Sequence, residues 1–293
     1  MSIQIYHENV PGSGVSSAIW QTSRRALDLS GKPLIMGILN VTPDSFFDGG
    51  LWIDPERAVA HAVEMVSEGA DIIDIGGEST RPGARPVSAD EELNRVMPVI
   101  ERLVNCLDIP LSLDTYKASV ASRALAAGVE IINDISGLSF DDEMAVTVAE
   151  NHAGLVIQHT RGRPDTMQQN TAYDDLVCEV SSRLGFSLSR AIQSGISVEQ
   201  IVLDPGIGFA KDRDGNLELL RSLGKLLPLG RPLFVGTSRK GFTAVAAGRT
   251  VADRFFTTAA TVALAVANGA RVLRVHDVAA MRDVADMAWE IAG

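Results

Sequence analysis

The chain has 293 residues, of which 46% are hydrophobic, 22% charged and 5% aromatic. That is enough chain and enough apolar content for a sizeable core, which excludes a disordered protein. A formal net charge of −11 and few aromatics argue against a nucleic acid or an anionic membrane as partner, since both are polyanions.

Residues 1–33 are polar, with Gly12, Gly14 and several serines, and carry no charged-then-apolar leader pattern; they read as a loosely ordered arm. From residue 34 one alternation repeats. Apolar runs followed by turn residues predict strands at 34–41, 72–77, 111–115, 131–136, 154–160, 201–206, 233–238 and 271–277. These runs are near-continuously apolar, as strands covered on both faces should be. Helix-period segments lie at 55–68, 88–104, 117–127, 142–151, 174–194, 216–227, 253–268 and 278–291. In the first, Ala58, Val59, Ala62, Val63 and Val66 share a face, Pro55 suits the opening turn and Gly69 the stop.

Eight strands and eight helices in strict alternation predict an α/β fold, a single-domain (β/α)₈ TIM barrel over 34–293 behind the arm. An open doubly wound sheet is the alternative, but no GxGxxG follows the first strand. Cys106 and Cys178 sit in helical patterns without a CxxC, which fits a reducing, cytoplasmic setting. The longest apolar stretch, Ala259 to Ala267, is far short of the ~20 residues that span a bilayer.

In such a barrel chemistry sits where strands end. Here every strand ends polar. Asn40, the GGESTRPG segment, Asp114, Asn133 and Asp134 come first, and then Gln158 and His159, Asp204, Ser238 to Lys240, and Arg274 to Asp277. Capping or turn roles are favoured for Asp134 and Asp277. For the set as a whole capping is a poor account, because it explains residues after a strand and not charges within its last turn. Asp114, Asn133 and Asp204 suit a flat heterocycle with N–H donors, since one carboxylate accepts two parallel donors. Arg81, Lys240, Arg274 and His276 gather cations in an acidic chain, which points to an anion. The inferred ligand is a planar heterocycle with an anionic tail.

The motifs GILNVTPDSFFDGG (37–50), IGGESTRPGA (75–84), LSLDTYK (111–117), IINDISG (131–137), LDPGIGFAK (203–211), GTSRK (236–240) and RVHDV (274–278) strongly resemble the dihydropteroate synthase family. The resemblance runs in order from about residue 34 to the end. It implies a barrel enzyme that joins dihydropterin pyrophosphate to p-aminobenzoate, releasing pyrophosphate by dissociative substitution. It implies that Asp114, Asn133, Asp204 and Lys240 hold the pterin. Asn40, Arg81, Arg274 and His276 would serve the pyrophosphate, with Mg²⁺ at Asn40 and Asp48. Thr80, Pro82, Phe209, Ser238 and Gly241 would lie near the aminobenzoate, with loops 40–50 and 76–86 closing over the site. Family members are usually homodimers, and the bland helix faces in 216–227 and 253–268 could serve a two-fold contact or simply pack on the barrel.

Two other classes stay open at this level. A non-catalytic pterin-binding paralogue should have lost the leaving-group residues, and a corrinoid-dependent methyltransferase relative would not need the STRPG and SRK elements. The chain also departs from the family pattern. Gln158 stands where methionine is frequent, Phe47 replaces a common serine, and Gly241 follows Lys240 where a serine often helps hold the aminobenzoate carboxylate.

Overall fold

A computed structural model describes residues 18–42, 54–244, 250 and 252–292. It opens with an antiparallel hairpin, β1 (Ile19–Gln21) and β2 (Ala26–Asp28). The strands that follow are β3 (Leu34–Asn40), β4 (Ile72–Gly76), β5 (Leu111–Asp114), β6 (Ile131–Asp134), β7 (Gly154–Gln158), β8 (Ile201–Asp204), β9 (Leu233–Val235) and β10 (Ala270–Val275). Each pairs in parallel with the next, and β10 closes onto β3, so the sheet is a closed barrel. Around it lie α1 (Pro55–Ser67), α2 (Ala89–Cys106), α3 (Ala118–Ala127), α4 (Met144–Glu150), α5 (Leu176–Gln193), α6 (Arg213–Arg221), α7 (Phe255–Ala267) and α8 (Val278–Ala292). This is the (β/α)₈ TIM barrel that the alternation predicts.

Local chemistry sets the helix ends. Asp54, Ser88, Asp175 and Asp212 each accept a backbone N–H from the first turn of α1, α2, α5 and α6 respectively. Gly128, at φ 118°, ends α3 in the left-handed conformation. The sixth predicted helix, 216–227, differs. The helix spans 213–221, and a 3₁₀ segment (Leu223–Leu229) containing Pro228 follows it.

Residues 18–33 are not a loose arm. The β1–β2 hairpin inserts Trp20, fully buried, under the barrel, and its indole N–H donates to the Gln200 carbonyl at 2.9 Å. Trp20 and Leu29 pack with Met36, Ile72, Ile131, Val156, Val202, Phe234 and Val272. These are the inward residues of the strands, so the N-terminal half of the barrel is plugged with apolar side chains. The intervening residues, such as Ile73, Leu113, Ile132, Ile157, Leu203 and Leu273, belong to the other cluster, beneath the helices.

Side chains alternate along a strand. Two residues beyond the inward Ile72, Ile131, Val156, Val202 and Val272 stand Asp74, Asn133, Gln158, Asp204 and Arg274. The same count takes Ser112 to Asp114. The barrel interior therefore changes from greasy to polar within one pleat, and a cavity opens above the change.

Candidate active site

The cavity has a volume of about 860 Å³ and opens at the C-terminal ends of the strands. Its walls include Asn40, Thr80, Arg81, Pro82, Asp114, Asn133, Asp204, Phe209, Ser238, Lys240, Gly241, Arg274 and His276. All the expected site residues except Asp48 thus meet at one mouth. Asp48 lies outside the described residues, as do Phe47 and the greater part of loop 40–50.

The floor is an ion cluster. Arg274 Nε donates to Asp74 Oδ2 at 2.6 Å, and its Nη2 donates to Asp114 Oδ2 at 2.9 Å. Asn133 Nδ2 donates to Asp74 Oδ2 at 3.1 Å. Burial pulls Arg274 down, but the two carboxylates outweigh it and hold its pKa above the ordinary value. Burial drives Asp114 up to about 7 against the pull of Arg274, with Asp74 adding repulsion. Asp114 Oδ1, Asn133 Oδ1 and Asp74 Oδ1 are buried without a hydrogen-bond partner among the described residues. Such acceptors are costly to bury unless a ligand's N–H groups complete them.

Asp204 faces the same space. Burial raises its pKa to about 6, opposed by Lys240 and by the Gly206 N–H, which donates to Oδ1 at 2.7 Å. Lys240 donates to the Ile207 carbonyl and lies 4.6 Å from the Phe209 ring centroid. Burial lowers its pKa to about 8, with Asp204 pulling the other way. Gly208, at φ 86°, permits this packing, since a Cβ there would come within 2.7 Å of Lys240 Cδ. Lys211 pins the same loop from behind. Its Nζ donates to the Gly206 and Phe209 carbonyls at 3.0 and 2.9 Å and meets His159 Nδ1 at 3.0 Å.

His276 is held differently from the imidazolium that the motif suggests. Burial, then Arg239 and Arg274, lower its pKa to about 3, so the ring is neutral at physiological pH. Ser238 Oγ accepts the His276 backbone N–H at 3.2 Å and lies 2.9 Å from Nδ1. With the hydroxyl proton directed to Nδ1, Nε2 carries the ring's N–H as a neutral donor. Ser238 lines the cavity, but its hydroxyl is engaged by this histidine. Arg81 is exposed and near enough to depress His276 further.

Asp134 and Asp277 are not ligand groups. Asp134 accepts the N–H of Ser136 and Leu138 at 2.8 and 2.7 Å, as a turn residue should. The Asp277 side chain pairs with Arg239, while its carbonyl opens α8 by accepting the Met281 N–H at 3.0 Å. Sequence reasoning passed over Asp74, which is fully buried and central to the floor. Its signal was present, since it stands at the inward parity of β4, two residues after Ile72. Also missed was the anchor of the loop that carries Thr80, Arg81 and Pro82. Glu78 accepts from Tyr116 Oη at 2.7 Å and from Lys117, and its Oε2 takes the N–H of Val87 at 3.4 Å, across the loop's base.

No cluster of three or more His, Cys, Asp or Glu side chains suited to a metal occurs among the described residues. Asn40 presents a hard amide oxygen at the cavity wall, as do Asn133 and Gln158. That donor set suits Mg²⁺ carried by a phosphate ligand, which needs few protein oxygens, and not a metal held by a protein cage.

A family model described as pterin binding enzyme matches residues 36–276. A dihydropteroate synthase from Synechocystis is 47% identical over 266 residues, covering 89% of this chain and 92% of the relative. The chain belongs to the dihydropteroate synthase family. Among solved structures of the family, a Xanthomonas albilineans enzyme with 4-aminobenzoic acid superposes with a TM-score of 0.87 at 42% identity, over 94% of this chain and 98% of that one. The same organism's enzyme in complex with 7,8-dihydropteroate gives 0.83 at 38% identity, over 93% and 98%. Dihydropteroate synthases are transferases, and the barrel that carries the site described above superposes on theirs. No helix among the described residues is long and apolar enough to cross a membrane.

Proposed function

We propose that this chain condenses 6-hydroxymethyl-7,8-dihydropterin diphosphate with p-aminobenzoate, giving 7,8-dihydropteroate and pyrophosphate. The observation that carries the reading is the pairing of unpartnered buried acceptors with cations in one cavity. Asp114 and Asn133 turn free oxygens toward a ring that offers N–H donors, with Asp204 and Lys240 as its other contacts. Arg274, fixed between Asp74 and Asp114, stands at the seam between ring and diphosphate. Arg81, His276 and Asn40 hold the diphosphate. Thr80, Pro82, Phe209, Ser238 and Gly241 form the side that receives the arylamine.

Dissociative substitution fits these groups. The methylene carbon–oxygen bond breaks, and its electron pair leaves with the diphosphate. Arg81, Arg274 and the neutral His276 N–H meet the developing negative charge. Asp114 and Asp204 oppose the positive charge left on the pterin methylene. The amine of p-aminobenzoate then attacks that carbon and gives up a proton. Mg²⁺ borne by the diphosphate, with Asn40 as a protein oxygen and Asp48 as the family's further expectation, would neutralise part of the leaving group's charge. No protein nucleophile takes part. Exclusion of water as substrates fill the cavity would protect the cation from hydrolysis.

Turnover of the two substrates, with and without Mg²⁺, tests the reading beside Asp204→Asn and Lys240→Ala. Wild type should form dihydropteroate, with both variants reduced at least ~100-fold in kcat/KM, as for loss of charged contacts to a reacting ligand. No product from wild type would overturn the activity, and a trapped covalent protein–pterin adduct would overturn the dissociative route.

A homodimer and a cytoplasmic setting belong to the same reading. Phe255, Phe256 and Leu264 on α7 and Met287 and Ile291 on α8 are exposed. These two helices pack side by side, and their apolar outer face is suited to an isologous contact. Both cysteines are free and exposed, which fits a reducing compartment.

A further inference from the structure

Gln158 is an amide in a place where an amide should not rest without a partner. It is the last residue of β7, 5% exposed, and it lines the cavity. Its parity points it inward: Val156 belongs to the cluster that plugs the barrel and Ile157 to the cluster under the helices. Its backbone is in register with Asp204, so the two side chains leave neighbouring strands on the same face. Its Nε2 is nonetheless buried with no hydrogen-bond partner among the described residues.

The unpartnered groups around it are of the opposite kind. Asp114 Oδ1, Asn133 Oδ1 and Asp74 Oδ1 are acceptors and call for donors on a ligand. Gln158 Nε2 is a donor and calls for an acceptor. A nitrogen heterocycle of the pterin class carries both kinds of group on its edge, as amino and ring N–H groups beside a carbonyl and unprotonated ring nitrogens. A side chain present only to fill space would be apolar here, because an amide left unmade in a buried wall destabilises the folded chain.

We propose that Gln158 is a specificity-determining residue of the ring pocket, donating a hydrogen bond from its side-chain amide to an acceptor on the bound pterin. The proposal rests on the pterin reading of the site and adds to it. In this chain the ring is read by a neutral donor on β7 as well as by the acids and the amide of the neighbouring strands. The p-aminobenzoate side plays no part in the contact.

The test compares wild type with Gln158→Met, which keeps length and shape but removes the donor, and with Gln158→Glu, which replaces it by an acceptor beside Asp204. The probe is 6-hydroxymethylpterin, titrated calorimetrically, with KM for p-aminobenzoate and Tm measured on the same preparations. Gln158→Met should weaken pterin binding about 5- to 30-fold, in the range of one lost hydrogen bond, and Gln158→Glu should weaken it further. Neither should move the p-aminobenzoate KM by more than about 2-fold, and the ligand-free Tm of Gln158→Met should be equal or higher because an unmade hydrogen bond has gone. Equal or tighter pterin binding by Gln158→Met would overturn the proposal, as would a lower ligand-free Tm with pterin affinity retained, since the amide would then serve the fold. Failure of the wild type itself to bind 6-hydroxymethylpterin would instead overturn the pterin reading on which the proposal rests.

Discussion

Replacing Asp114 by Asn should make the ligand-free protein more stable while removing most of its affinity for pterin. Asp114 is 6% exposed, its Oδ1 has no partner among the described residues, and its neighbour Asp74 is a second carboxylate on the same guanidinium. Burial, partly offset by Arg274 and increased by Asp74, lifts its pKa from 3.8 to about 7. That rise of about three units corresponds to about 4 kcal/mol of ionisation cost in the folded state. The folded-state value lies above the unfolded one, so the folded chain holds the proton more tightly. The favourable contribution is complete below about pH 4 and is lost as pH rises toward about 7. Asn carries no such dependence, and its amide oxygen can still accept from Arg274, which keeps Asp74 as its ion pair. The stability gap between variant and wild type should therefore widen by about 2 kcal/mol in favour of the variant between about pH 5.5 and 8. Urea unfolding of both proteins without ligand, at matched ionic strength, measures it. A gap that is flat with pH, or that turns against the variant at the higher pH, refutes the assignment of a reluctantly ionised carboxylate kept for its ligand.

Further outcomes follow from the same geometry. Trp20→Ala should cost about 3–5 kcal/mol in urea unfolding, the range for a fully buried large aromatic, with kcat retained in the folded fraction because the plug lies at the far end of the barrel. Gly208→Ala introduces a Cβ at φ 86° and within 2.7 Å of Lys240 Cδ. It should cost about 1–2 kcal/mol in stability from the left-handed backbone and raise KM for the pterin substrate, and an unchanged KM would mean that Lys240 does not need its present path. Gly241→Ser meets open space, with no atom of the described residues within 4 Å of the new Cβ. It should change stability by less than about 0.5 kcal/mol and, by supplying the hydroxyl frequent in the family, lower KM for p-aminobenzoate several-fold. Unchanged affinity there would remove the suggestion that the glycine weakens that side of the site.

Much of this molecule was legible in one dimension. The barrel strands and their order follow from apolar runs bounded by turn residues, because a strand buried on both faces leaves a local record in the sequence. The helices follow from period and caps, with the sixth shorter and followed by a proline-containing segment. The polar strand ends picked out the rim, and each expected site residue within the described chain lies on the cavity that the barrel forms there. What a local window cannot contain is which of these groups touch. Arg274 bonds Asp74 across 200 positions and Asp114 across 160, and that pairing depends on how far the staggered strands slide before the sheet closes. The same closure puts Trp20 under the floor, spends the Ser238 hydroxyl on His276, and strips His276 of the charge that its type suggested. It also leaves the Gln158 side-chain nitrogen with no hydrogen-bond partner among the described residues. Periodicity records whether a residue will be buried; burial beside particular neighbours sets its charge and its partners, and those neighbours are chosen only when the barrel shuts.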